Sequence, residues 1–485
     1  MSTRPMLASA AGSKIGSLPN ELLTEVFLLW SLIDEDGPWM ACSVCKHWRT
    51  VVLECRKAWS DLWFNFQPTP ECTPAAWCIE EDEVLAAISP RGKARPWDLW
   101  LERSAAVPLS LRLTIAPTCP RTEQKLRKLL FLLEPHMSRI QRVTLSLESV
   151  HLAVLIVSLF SKVRLDRLEI NVPQSPRLPR HFRGVVGIDS PVEGHVMKYF
   201  WNFSPLVSYL ACRECIPNSL RSNGEILATP GHLRCLDIST VTICPNELLS
   251  VLSSCINLCI LRLGNIEDVF KYSSSSPVVE VVTFDALQDL SVTTISSTYC
   301  CVMLQALKAP QLTKFKISNC GIAELKECIE KGIKTYDAMA NFGTIIAAFL
   351  EHSPLITTLH IADSPLPDRY LVGALKQLPH LHELRLTSVL VGAPAFRALT
   401  SLPERLGAGK DQSKKMVCPS LQRLQVLSCD LLDGSLLINL VKARNGPRST
   451  TLPITSLLVE ECKKVDQRCL RDIQKIDPKR LHIIQ

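Results

Sequence analysis

The sequence predicts an α/β protein: a small N-terminal helical module followed by a curved solenoid of strand–helix repeats with a parallel sheet. Three observations carry this. Apolar residues between Leu22 and Ile33 recur at helical spacing, and a second run of the same kind follows. From Ile140 onward, the pattern apolar-x-x-apolar-x-apolar returns again and again at a near-constant step. A length of 485 residues exceeds one ordinary domain but suits a repeat array, and a hydrophobic content of 47% supplies the core. Charged residues at 21% and a net charge of +7 exclude a wholly disordered chain and a nucleic-acid binder that works by charge alone.

Taken in order, residues 1–14 read as a flexible tail and 15–64 as the helical module. Pro19 suits a first helical turn, Ser17 can cap it, and Glu21 favours its positive end. Leu22, Leu23, Val26, Phe27, Trp30 and Ile33 form the apolar side of this amphipathic helix. Asp34-Glu35-Asp36-Gly37-Pro38 ends it. A second helical pattern places Val44, Trp48, Val51 or Val52, and Cys55 on one side, and Leu62-Trp63-Phe64 adds a third apolar anchor. About fifty residues bury little surface alone, so an apolar face completed by a partner is expected.

Leu18-Pro19-x-Glu21-Leu22-Leu23-x-Glu25-Val26-Phe27, then Cys42-Ser43-Val44-Cys45-Lys46-x-Trp48-Arg49, then Leu62-Trp63, resembles an F-box. That family docks on the Skp adaptor of a cullin-based ubiquitin ligase. The resemblance implies that Leu18, Pro19, Leu22, Val26, Val44, Cys45 and Trp48 pack in the module or face the adaptor. The Asp34–Pro38 link is longer than usual in the family, and Trp39-Met40 stands where a leucine-rich helix start is common. Both bear on adaptor affinity more than on the module's identity.

Residues 65–104 are expected to be a linker with short helices, holding the acidic cluster Glu80–Glu83, read as a solvated helix start, and the basic run Arg91–Arg95. Trp97–Ser104 has a helical pattern and Pro108–Ile115 alternates as a strand. Leu-Glu-Arg-Ser before Pro-Leu-Ser-Leu is similar to a segment that follows the F-box in mushroom-forming fungi.

The repeats occupy 105–485. Their starts are Ile140, Leu165, Val207, Leu233, Leu258, Leu287, Leu312, Ile356, Leu381, Leu421 and Ile454, separated by 25, 42, 26, 25, 29, 25, 44, 25, 40 and 33 residues. The basic step of 25–29 resembles a degenerate leucine-rich repeat, with the longer steps holding insertions such as Pro173–Pro191 and Leu402–Pro419 and, after Leu312, an extra helix around Thr344–Leu350. Helical stretches such as Pro245–Cys255 and Arg369–Gln377 fill the returns.

The chain holds 20 cysteines. Cys215, Cys320, Cys429 and Cys462 stand eight residues after a repeat start, where a thiol serves as a small core hydrophobe, and Cys212 is the third apolar residue of its repeat. Cys42-x-x-Cys45 near His47 lacks the second ligand pair a structural zinc site needs, so no metal or cofactor is expected. Gly407-x-Gly409-Lys410 lacks the rest of a phosphate loop, and hydrolase signatures are absent, so no enzyme activity is indicated. Met1–Ser13 has no sustained apolar stretch, and the run around Leu152–Phe160 is shorter than the roughly 20 residues that span a bilayer. A soluble cytoplasmic or nuclear protein with reduced thiols is expected.

Between the apolar strand positions lie Arg262, Lys314, Lys316, His360, Arg385 and Arg423, which would share one face of the sheet and could attract an acidic or phosphorylated protein segment. Two insertions also collect cations, at Arg177, Arg180, His181 and Arg183 and at Lys410, Lys414 and Lys415. Aromatic residues are not interleaved with these charges, so nucleic acid is not the expected partner. By its F-box resemblance the chain is expected to be a substrate-recognition subunit of an SCF-type ubiquitin ligase, with the Skp adaptor, through it a cullin, and an unknown target protein as partners. The alternative is a leucine-rich-repeat scaffold or receptor with no ubiquitin role.

Overall fold

The computed structural model describes residues 18–34, 36–66, 97–115, 120–147, 156, 160, 163–171, 207–213, 231–267, 281–321, 336–364, 366–400, 417–447, 449 and 451–484. Ser17, Cys215, Glu80–Glu83, the run 91–95 and both cationic insertions lie outside them. The chain forms two compact units, Met1–Ile188 and Asp189–Gln485. Both are α/β, with parallel sheets.

In the first unit, α1 (Asn20–Ile33), α2 (Gly37–Val44) and α3 (Lys46–Glu54) precede a short 3-10 turn, Arg56–Trp59. The sequence pattern suggests one helix through Val44 and Cys55; the structure breaks it at Cys45, whose backbone is extended. Strands β1 (Asp61–Phe66), β2 (Leu109–Ile115), β3 (Ile140–Leu147) and β4 (Arg167–Asn171) pair in parallel in that order. The sheet thus starts earlier than the sequence suggests: Leu62-Trp63-Phe64, read as an anchor of the helical module, is its first strand. Helix α4 (Trp97–Arg103) follows the expected pattern, and α5 (Pro120–Leu133) precedes β3.

An aromatic box ties the helices to this sheet. Trp39 of α2 meets Trp59 edge-on at 5.0 Å and Trp100 of α4 at 6.0 Å. Phe64 of β1 lies 4.0 Å from Trp97. The guanidinium of Arg103 sits 4.5 Å from the ring centres of both Trp39 and Trp59, a double cation–π contact. Trp39, which departs from the F-box pattern, therefore joins α2 to the strands.

In the second unit, β5 (Tyr209–Arg213), β6 (Cys235–Thr242), β7 (Ile260–Glu267), β9 (Asp289–Thr293), β11 (Lys314–Ser318), β12 (Thr358–Ala362), β13 (Glu383–Thr387), β14 (Arg423–Leu427), β15 (Ser456–Glu460) and β16 (His482–Ile484) are neighbours in that order. The short β8 (Val282–Thr283) and β10 (Leu307–Lys308) pair separately. Helices α6 (Pro245–Ser253), α7 (Ser297–Ala306), α8 (Tyr336–Glu351), α9 (Asp368–Lys376), α10 (Ala393–Thr400), α11 (Gly434–Asn445) and α12 (Gln467–Ile476) fill the returns. This is a leucine-rich-repeat-like solenoid.

Register is locked by burial. Leu261, Leu290, Phe315, Leu359, Leu384, Leu424 and Leu457 pair across successive strands and are all buried. Phe315 stacks 5.2 Å from Phe349 of α8, so this row faces the helices and the alternate row is open. Eight of these strands carry the same device at or near their ends. Seven residues after their starts, Thr240, Asn265, Thr294, Asn319, Asp363, Ser388, Ser428 and Glu461 all take left-handed backbone, φ from 43° to 59°. The next residue then points inward: Val241, Ile266, Ile295, Cys320, Ser364, Val389, Cys429 and Cys462 are buried. The cysteines here send their thiols toward backbone oxygens, with Cys320 3.4 Å from the Ser318 carbonyl and Cys429 3.4 Å from that of Leu427.

One charged side chain is part of the core. Arg444 of α11 is 1% exposed and donates to the carbonyls of Leu399, Cys418 and Val417 at 3.2, 2.9 and 2.7 Å. Burial pushes its pKa down to about 10 and raises the neighbouring Cys418 thiol to about 12. Replacing Arg444 with alanine strands three acceptors and is expected to cost about 3 kcal/mol or more, read as lost hydrogen-exchange protection around Val417–Leu424 and a lower urea midpoint. Conversely, Thr240→Asn places a side chain tolerant of left-handed backbone at an exposed strained site. Its urea midpoint should rise by the equivalent of about 0.5–1 kcal/mol.

Candidate functional site

Two surfaces gather the sequence-nominated residues, one in each unit. On α1 the apolar side that the sequence suggests divides in two. Leu23 and Phe27 are buried against the neighbouring helices, whereas Leu22, Val26, Leu29 and Ile33 are 53%, 43%, 59% and 79% exposed. Their spacings of four, three and four residues stack them as one stripe along the helix. Leu29 completes the stripe and was not singled out from the sequence, although the spacing was there to be seen. Leu22 and Leu23 are adjacent, so periodicity alone cannot decide which of them the module covers.

Of the other nominated residues here, Pro19 precedes the first helical residue and its carbonyl accepts from Leu23 N–H at 3.1 Å. Leu18 is half-buried, and Val44 is 56% exposed at the end of α2. Cys45 caps α3: its sulfur accepts from Trp48 N–H at 3.4 Å. The Trp48 ring packs edge-on to Phe27 at 5.2 Å and is half-exposed. Cys42 sits near Arg103 and Arg49, but burial outweighs them and raises its thiol pKa. Among the described residues no group of three or more histidines, cysteines or carboxylates could hold a metal.

The second surface is the open face of the second unit's sheet. One row across it runs Asp237, Arg262, Ser291, Lys316, His360, Arg385 and Gln425 on adjacent strands. A parallel row holds Asp289, Lys314, Thr358, Glu383 and Arg423. The six nominated side chains therefore do share a face, but its charge is mixed. Arg423 is paired with Glu383 at 3.2 Å, and Glu383 also accepts from Gln425. Asp237 and Asp289, which the sequence reading passed over, line an open cleft of about 440 Å³ together with Arg262, Lys316, Ser239, Ser291 and Thr293. Arg262, Lys316 and Arg385 have no carboxylate partner among the described residues.

No protein-family model matches the chain, and no curated protein matches it. Among solved structures, one similar to it is the crystal structure of the Rad7 and Elc1 complex in yeast, at 13% identity, covering 74% of this chain and 82% of that chain, with a TM-score of 0.37. A likeness that remote says nothing about what this chain does. No helix among the described residues is long and apolar enough to cross a membrane.

His360 is the titratable group most altered by this face. Burial, then Arg385 and Lys316, push its pKa from 6.5 to about 4. The ring is neutral in the folded protein where an unfolded chain would take up a proton. Its contribution to stability is complete above pH 6.5 and is lost as pH falls toward 4. Between pH 7 and 4.5 the melting temperature should drop less in His360→Gln than in the parent; parallel curves would disprove the shift.

Proposed function

We propose that the chain is a substrate-recognition subunit of an SCF-type ubiquitin ligase, acting in the cytoplasm or nucleus. Its helical module, F-box-like in Leu18-Pro19, Leu22, Val26, Val44-Cys45 and Trp48, docks on the Skp adaptor and through it on a cullin, while the repeats hold a target protein. The observation that carries this is the exposed stripe Leu22, Val26, Leu29 and Ile33, continuous along α1 while Leu23, Phe27 and Ser31 are buried on its inner side. A run of large apolar side chains left in water is what a helix needs in order to lie against a partner's groove.

The mechanism is tethering. Holding a target beside the site of ubiquitin transfer raises its effective concentration, and covalent chemistry belongs to other subunits. The chain itself acts as no enzyme in this reading and needs no cofactor.

Purified full chain and Skp adaptor test the reading directly. Leu22→Glu with Val26→Glu alters side chains that the fold leaves exposed, so circular dichroism and melting should be unchanged. Adaptor affinity should fall by about a hundredfold or more, since each side chain gives up roughly 1.5–3 kcal/mol of burial. A well-folded parent that ignores the adaptor would leave a repeat scaffold without a ubiquitin role.

A further inference from the structure

Buried polar side-chain atoms nearly always find a partner, so a cluster of orphans calls for a cause. His360 Nε2, Arg385 Nε and Thr387 Oγ1 are buried without a hydrogen-bond partner among the described residues. Strand register sets them side by side: His360 pairs with Arg385, and Ala362 with Thr387, across β12 and β13. Lys316 on β11 borders His360 from the other side. An Arg Nε–H only donates, an ammonium only donates, and a hydroxyl and a neutral imidazole can each donate. The spot is rich in donors and short of an acceptor.

The same row repeats the arrangement. Ser291 on β9 lies between Arg262 on β7 and Lys316 on β11, just as His360 lies between Lys316 and Arg385. Neighbouring strands are about 4.8 Å apart, so these two gaps between cations are separated by about 10 Å. Asp237 and Asp289 line the cleft at the first gap. They repel a dense polyanion such as a nucleic-acid backbone, yet leave room for single, well-spaced carboxylates.

We propose that this row seats an acidic segment of a partner protein, with one carboxylate over Ser291 between Arg262 and Lys316 and a second over His360 between Lys316 and Arg385. The inference rests on reading the repeats as the target-holding part and gives that target a chemistry. A chain in polyproline-II form fits the pitch: its residues i and i+3 fall on one side, about 9 Å apart. Arg423 takes no part, because Glu383 already neutralises it.

The test uses the full chain and a fluorescent twelve-residue peptide with Glu-Pro-Pro-Glu at its centre, followed by anisotropy. Binding should weaken as salt is added. It should fall at least tenfold for Lys316→Gln with Arg385→Gln, and also for Ser291→Glu, which places a carboxylate of the chain itself in the first gap. Arg423→Gln should bind like the parent. The assignment is overturned if the Glu peptide does not bind, if its Gln-Pro-Pro-Gln version binds equally, or if the double variant binds unchanged. It is equally overturned if a phosphoserine version binds while the glutamate one does not. Parent and variants are also assayed for the Skp adaptor: a parent that binds the adaptor but not the Glu peptide sinks this inference alone, whereas a parent that binds the peptide but not the adaptor sinks the ligase reading.

Discussion

The second unit depends on one backbone constraint, the left-handed residue at or near the end of β6, β7, β9 and β11 to β15. That residue lets the chain leave the sheet and turn its next side chain into the core. Because it recurs seven positions after the start, the apolar rows stay aligned and the ladder extends past the strand, as in Thr294 N–H to Ser318 O and Ser388 N–H to Leu427 O. Gly is absent from all eight positions: Asn265, Asn319 and Asp363 suit the left-handed region, whereas at Thr240, Thr294, Ser388, Ser428 and Glu461 the conformation is held by the neighbouring repeats. The open face inherits its order from this. Cations stand in a row because register puts them there, and a one-residue slip would exchange them for leucines.

In the first unit the corresponding constraint is the division of α1 into two apolar sides. Leu23 and Phe27 consolidate the helical module, and Trp48 covers Phe27. Cys45 adds a helix cap in place of the usual hydroxyl or carboxylate. With the inner side satisfied, the outer stripe of Leu22, Val26, Leu29 and Ile33 is left largely in water.

Much of this was legible in the sequence. The starts from Leu233 to Ile454 announced their strands through two buried leucine-like positions each, and even the weak copies at Ile140, Leu165, Val207 and Leu287 belong to strands or lead into them. Burial of Cys212, Cys320, Cys429 and Cys462 followed from the same register. Strand β1 was hidden because Leu62-Trp63-Phe64 is a continuous apolar run whose partner, β2, lies far along the chain. The closing residue shares no one side-chain type, running from Asn265 and Asp363 to Thr240, Thr294 and Glu461, so no common turn signature marks it in the sequence. Neither the Arg423–Glu383 pair nor the orphaned atoms of His360, Arg385 and Thr387 can be seen without knowing which strands are neighbours.

The aromatic box changes what counts as a separable piece of the first unit. Half of it comes from Trp39, Trp59 and Phe64, within the F-box-like segment, and half from Trp97, Trp100 and Arg103, well beyond that segment. A fragment ended at residue 64 would carry the exposed stripe of α1 but would also bare two tryptophan faces and leave β1 without its partner. The stretch that presents the exposed stripe is thus shorter than the stretch that must fold to present it. In this chain α1 and the opening strands stand or fall together.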